Sequence, residues 1–208
     1  MRPQATIYYD IISPFTHILL KTRGPIEQKL DLRPVPVFLP GLLRSQKNIG
    51  PAEIPSKREF SYASMVWRAE KLKIPFKFPP RHPFSSIAPM RLLTAIDPDM
   101  ATIDKAFNFV FSDGRDPNEE WSAFCEAIGL PGSTPKPTDD AIKAKLTKNT
   151  EEAAALGIFG VPTIYFKERI FFGADSIDML LDFIDQPNLF DEPAYKAALA
   201  TENPLLRR

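Results

Sequence analysis

Cysteine is all but missing from this sequence: Cys125 is the only one in 208 residues. No disulfide can form within the chain, which removes the small secreted, disulfide-stapled folds from consideration. Histidine is nearly as scarce. His17 and His82, with one cysteine, make no metal-ligand cluster, and no metal is expected. Charge of one sign is not in excess either, because 26 Lys and Arg balance 26 Asp and Glu. That balance speaks against nucleic acid and against an anionic membrane surface as partners. No apolar run approaches the ~20 residues that cross a bilayer. The opening Met-Arg-Pro-Gln-Ala lacks the apolar stretch of a secretory signal, and the closing Leu-Leu-Arg-Arg is no peroxisomal address. The expectation is a cytoplasmic protein.

Proline, by contrast, is abundant at 22 residues, scattered among apolar neighbours between about 34 and 98 and again at 131–137. Such prolines mark helix starts and stops in a folded region. Residues 5–10 are β-branched and aromatic and read as a strand. Ser13-Pro14 then opens a helix, with Ser as cap and Pro where its missing N–H does no harm. Residues 30–38 read as a second strand, which Pro34 and Pro36 place at a sheet edge. The result is a β–α–β opening with parallel strands. Residues 40–150 read as mostly helical, with candidates at 57–71, 89–95, 103–111 and 118–128, the last closed by Gly129. Thr138 is expected to cap a helix over 139–146, and a separate helix over 150–156 to stop at Gly157. Strands at 164–166 and 169–172, turned by Lys167-Glu168, form a hairpin, and 177–184 reads as a helix. Two halves that each leave an unfinished sheet combine into one α/β unit, 1–40 with 157–208, into which a helical unit, 41–156, is inserted.

Five segments in order carry a family resemblance: Tyr9-Asp10-Ile11-Ile12-Ser13-Pro14-Phe15, Lys47-Asn48-Ile49-Gly50-Pro51, Ile74-Pro75-Phe76-Lys77-Phe78-Pro79, Gly157 through Thr163, and Phe172-Gly173-Ala174-Asp175. Together with the element order they resemble the thioredoxin superfamily, in its DsbA-like branch with a large helical insertion. Within that branch the match is to 2-hydroxychromene-2-carboxylate isomerases and kappa-class glutathione transferases. Ser13-Pro14-Phe15-Thr16 stands where the superfamily has Cys-x-x-Cys. Without a thiol there, disulfide exchange by the protein's own cysteines is excluded. A serine hydroxyl at a helix N-terminus can instead donate to a bound thiolate, which the helix dipole also favours. Ser13 fits that role, and it also fits a plain N-cap.

The resemblance implies more. It makes glutathione the cofactor and implies that the bond before Pro162 is cis, beside Ser13. Val161 would pair its backbone with the cysteinyl part of glutathione. Gly173, Ala174, Asp175 and Ser176 would receive the γ-glutamyl end, its carboxylate on backbone N–H groups and its ammonium on Asp175; a capped helix start is the competing reading. Relatives commonly carry Arg after that Asp, where this chain has Ser176. On the substrate side, Phe15, His17, Lys47, Asn48 and Phe84 are the candidates. Relatives carry basic or polar groups where this chain has Glu53 and Ile54. His17, one helical turn after Ser13, would face the same side, as a nucleophile partner or as a packed ring. Cys125, Trp67 and Trp121 read as core, and Glu119-Glu120 and Glu151-Glu152 as solvated residues near helix starts. The function so implied is a glutathione-dependent isomerase acting on a small aromatic or unsaturated acid. A kappa-type transferase and a redox-inactive binding module are the alternatives. A homodimer is implied by the same resemblance.

Overall fold

A computed structural model describes residues 2–203. Met1 and the C-terminal Leu-Leu-Arg-Arg, on which the targeting readings partly rest, lie outside the described residues. The chain opens with β1 (Gln4–Tyr9), α1 (Pro14–Thr22), a single turn α2 (Gly24–Glu27) and β2 (Asp31–Pro36). It closes with β3 (Thr163–Phe166), β4 (Arg169–Phe172) and α9 (Ile177–Asp185), followed by α10 (Pro193–Leu199). The four strands form one sheet in the order β2-β1-β3-β4. β1 runs parallel to β2 and antiparallel to β3, so the two ends of the chain do complete one sheet. β2 lies at an edge, where Pro34 and Pro36 need no outward N–H partner. The hairpin turn places Lys167 at φ 46° and Glu168 at φ 60°, the paired left-handed geometry of a two-residue turn.

The period-two alternation of β1 sorts the sheet's two faces. Ala5, Ile7 and Tyr9 join Ile164, Phe166 and Phe171 in the larger core, with Leu19, Leu20 and Leu180. Tyr8 points the other way, to Val37, Leu42, Ala153 and Val161. Between the halves lie α3 (Leu39–Ser45), α4 (Pro55–Leu72), α5 (Ile87–Ile96), α6 (Met100–Phe107), α7 (Trp121–Ala127) and α8 (Asp140–Ala155). A five-residue π-turn, Asn108–Ser112, extends α6 and buries Phe109, Val110 and Phe111. No helix among the described residues is long and apolar enough to cross a membrane.

Four local expectations need correction. The helices read at 139–146 and 150–156 are one helix, α8. Its cap is Asp139, not Thr138, because the Asp139 carboxylate accepts from both Ala141 and Ile142 N–H. Thr150 is tolerated mid-helix because its hydroxyl donates back to the Leu146 carbonyl at 2.8 Å while accepting Phe38 N–H at 2.9 Å. Glu151 and Glu152 therefore sit inside α8, away from its start. Trp67 is not core: it is 60% exposed, on the face of α4 opposite buried Met65 and Ala69. Cys125 is buried, and the Trp121 indole N–H donates to the Thr134 carbonyl at 2.7 Å.

Candidate active site

β1 delivers the chain into a turn, Asp10 to Ile12, that ends at Ser13. Ser13 has extended backbone angles and caps α1, its Oγ accepting from Thr16 N–H at 3.3 Å. The same hydroxyl donates to the Val161 carbonyl, also at 3.3 Å. The Val161–Pro162 peptide is cis. One hydroxyl thus joins two segments 148 residues apart. Pro162 in turn accepts Gly173 N–H at 2.9 Å, which hangs the Gly173–Ser176 turn on the same proline. Gly173 has φ 76°, where a side chain would be strained. Ser176 closes the turn by donating to the Gly173 carbonyl at 2.8 Å, and α9 begins at the next residue.

The Ser13 turn is held from two sides. From below, Asp10 is fully buried. Its carboxylate accepts Ile12 N–H at 3.0 Å, Leu39 N–H at 2.8 Å and the Ser86 hydroxyl at 3.0 Å, while its carbonyl accepts Ser13 N–H at 3.0 Å. Burial raises its pKa to about 6, against the pull of those three hydrogen bonds. From the helical block, His82 Nε2–H donates to the Ile12 carbonyl at 2.7 Å. A carbonyl only accepts, so Nε2 carries the proton and Nδ1 is left to accept from the Tyr62 hydroxyl, 2.5 Å away. Burial lowers the His82 pKa, keeping the ring neutral.

The sequence-predicted residues fare unequally. Ser13, Val161, Pro162, Gly173 and Ser176 are brought together by the bonds above, and Ala174 and Asp175 lie within the same turn. Phe15 packs half-buried beside Ile18 and Met65. His17 is fully buried, its Nε2–H donating to the Pro75 carbonyl at 3.1 Å and its ring set between Phe76 and Phe111. Burial pushes its pKa down to about 4. His17 is therefore neither a partner for Ser13 nor a substrate contact: the helix face it shares with Ser13 is packed against the helical block. Phe84 is 8% exposed and packs into the larger core. Lys47 and Asn48 are exposed beyond α3, and Asn48 spends its carbonyl oxygen on Ile49 N–H. Glu53 accepts Gly50 N–H at 2.6 Å, a local tie that fixes this loop.

Arg68 of α4 was invisible in the sequence. It forms an ion pair with Asp175 from 107 residues away. A cation thus stands beside Asp175 although Ser176 supplies none. Asp10 carried a local signal, an acid within an apolar run three residues before Ser13. Arg68, Tyr62 and His82 carried none, because only the packing of α4 and its following loop brings them here.

A sheet of this order, with a cis proline facing a helix N-terminus, defines a thioredoxin-fold protein; a serine at that N-terminus means it has no catalytic dithiol. The chain belongs to the DSBA-like thioredoxin domain family, whose model matches residues 4–185. It is 26% identical to glutathione S-transferase kappa 2 of Caenorhabditis elegans, over 89% of this chain and 93% of that one. It is 24% identical to 2-hydroxychromene-2-carboxylate isomerase of Sphingobium xenophagum, over 85% and 95%. Among solved structures, a 2-hydroxychromene-2-carboxylate isomerase superposes with a TM-score of 0.75 at 19% identity, covering 95% of this chain and 100% of that one.

Proposed function

We propose that this protein is a glutathione-dependent isomerase of the 2-hydroxychromene-2-carboxylate isomerase type, working in the cytoplasm as a homodimer on a small aromatic or unsaturated acid. The observation that carries the reading is the Ser13 hydroxyl, held at the N-terminus of α1 against the cis Val161–Pro162 peptide. The residues present fit glutathione. Ser13 would donate to its sulfur, and the 3.3 Å bond to Val161 is long enough to be given up for a charged acceptor. Asp175 would take the γ-glutamyl ammonium. Arg68, already beside Asp175, would take the γ-glutamyl carboxylate with the N–H groups that open α9. When bound, glutathione supplies a thiolate nucleophile, returned unchanged in an isomerase and passed to the product in a transferase. The two outcomes share this site, and relatives of both names support the reading.

Calorimetry with glutathione at neutral pH, with thiolate absorbance followed in the ultraviolet, tests it on the full chain and on Ser13→Ala. Saturable binding with a thiolate signal that Ser13→Ala loses is expected. No binding at millimolar glutathione would overturn the proposal and leave a thioredoxin-fold binding module. Light scattering after size exclusion checks the dimer.

A further inference from the structure

Away from the Ser13 turn, α3, α5 and α8 border an open cavity of about 450 Å³. None of its lining residues belongs to the Ser13 turn, the cis-proline segment or the Gly173–Ser176 turn. Phe38, Ile87 and Leu146 make its wall apolar, and Arg44, Arg91 and Lys143 bring three cations to it. Glu151 is the only carboxylate in the lining, and it forms no ion pair with either arginine. Lys143 has a partner, Asp140, at 2.7 Å. The same carboxylate lies within electrostatic reach of Arg91. Arg23, Arg68, Arg81 and Arg115 each sit in an ion pair, while Arg44 and Arg91 have no hydrogen bond or ion pair among the described residues. The Arg91 Nε–H is moreover buried without an acceptor.

A buried donor without an acceptor is uncommon in folded proteins, and the Arg91 Nε–H is one, beside an apolar wall that the exposed Arg44 also borders. The volume suits a small molecule, and guanidinium forks match carboxylate and phosphate oxygens in pairs. We propose that this cavity is a second ligand site, for a small amphipathic oxyanion. Its flat apolar body would lie on Phe38, Ile87 and Leu146, and its carboxylate or phosphate head between Arg44 and Arg91. The site is independent of the glutathione proposal. Its walls nonetheless adjoin the turn that carries Ser13. Leu39, which opens α3, and Ser86, which precedes α5, both donate to the Asp10 carboxylate beneath that turn.

The test is calorimetry on the full chain at low salt, with 1-naphthoate, 1-naphthyl phosphate and uncharged 1-naphthylmethanol as probes. At least one anion is expected to bind about tenfold or more tightly than the alcohol, and the tighter of the two identifies the head group. Arg44→Gln and Arg91→Gln should each weaken that anion about five- to tenfold, and Arg91→Lys should weaken it less. Ser13→Ala and millimolar glutathione should leave it unchanged. Arg44 is exposed, so its variant tests the site without risk to the core. The proposal is overturned if the alcohol binds as tightly as the anions, if both Gln variants bind like wild type, if glutathione or Ser13→Ala removes binding, or if nothing binds at millimolar concentration.

Discussion

On the proposed reading Ser13 performs two tasks with one oxygen, and the tasks separate on mutation. As the cap of α1 it satisfies Thr16 N–H; replacing such a cap with Ala costs about 1 kcal/mol of stability. As the proposed donor to a glutathione thiolate it would contribute far more, since removing one aimed donor from an active site costs about 10²–10³ in rate. Ser13→Ala should therefore unfold only slightly more readily in urea yet lose at least about a hundredfold in kcat/KM with glutathione. A loss of activity no larger than the loss of stability would make Ser13 a cap and nothing more. Arg68 is expected to act in binding alone, because it touches Asp175 at the far end of the site from Ser13. Arg68→Gln should raise the KM for glutathione about tenfold and leave kcat within about twofold, the pattern of lost uniform binding. A fall in kcat at unchanged KM would show that Arg68 acts elsewhere.

α4 reaches the site at two points six residues apart: Tyr62 through His82 to the Ile12 carbonyl, and Arg68 at Asp175. It acts as a brace between the helical block and the Ser13 turn. Tyr62→Phe removes a hydroxyl shared between the His82 ring nitrogen and the His82 carbonyl, 2.9 Å away, and should cost about 1 kcal/mol. Amide exchange should then quicken at Ile12 and Ser13 while α7 keeps its protection; uniform quickening would argue for general destabilisation instead. The existence of α4 was legible from its prolines and helical spacing, and so were the strands and the hairpin, whose signals are local. Which face of α4 is buried was not. Its apolar residues lie on both sides, so Trp67 read as core although Tyr62, Met65 and Ala69 form the inward row. The merging of two expected helices into α8 was hidden for a similar reason. Thr150 looks like a break until its hydroxyl is seen bonded both to Leu146 and to the Phe38 amide, a partner far away in sequence.

The molecule as a whole was legible where its two ends each showed an unfinished sheet, because a half-sheet must find strands elsewhere in the same chain. Less legible was the fate of its buried ionisable groups, which depends on what the helical block covers. Asp10 and His17 are both buried where α1 begins, and burial acts on them in opposite directions. Asp10 titrates near pH 6 in the fold against an ordinary 3.8. Between those values the folded protein holds a proton that the unfolded chain has released, so Asp10 makes stability fall as pH rises. His17 titrates near pH 4 in the fold against 6.5. Between those values the unfolded chain holds the extra proton, so His17 makes stability rise with pH. Each shift is worth ~3 kcal/mol, so across pH 4–6 the two nearly cancel. Wild type should therefore change little over that range on account of this pair. Asp10→Asn should show stability rising with pH, and His17→Leu should show it falling. Urea unfolding at half-unit steps from pH 4 to 6.5 reads the slopes, which stay informative even if both variants are less stable throughout. Three parallel profiles would mean that neither group keeps its shifted protonation state in the folded protein.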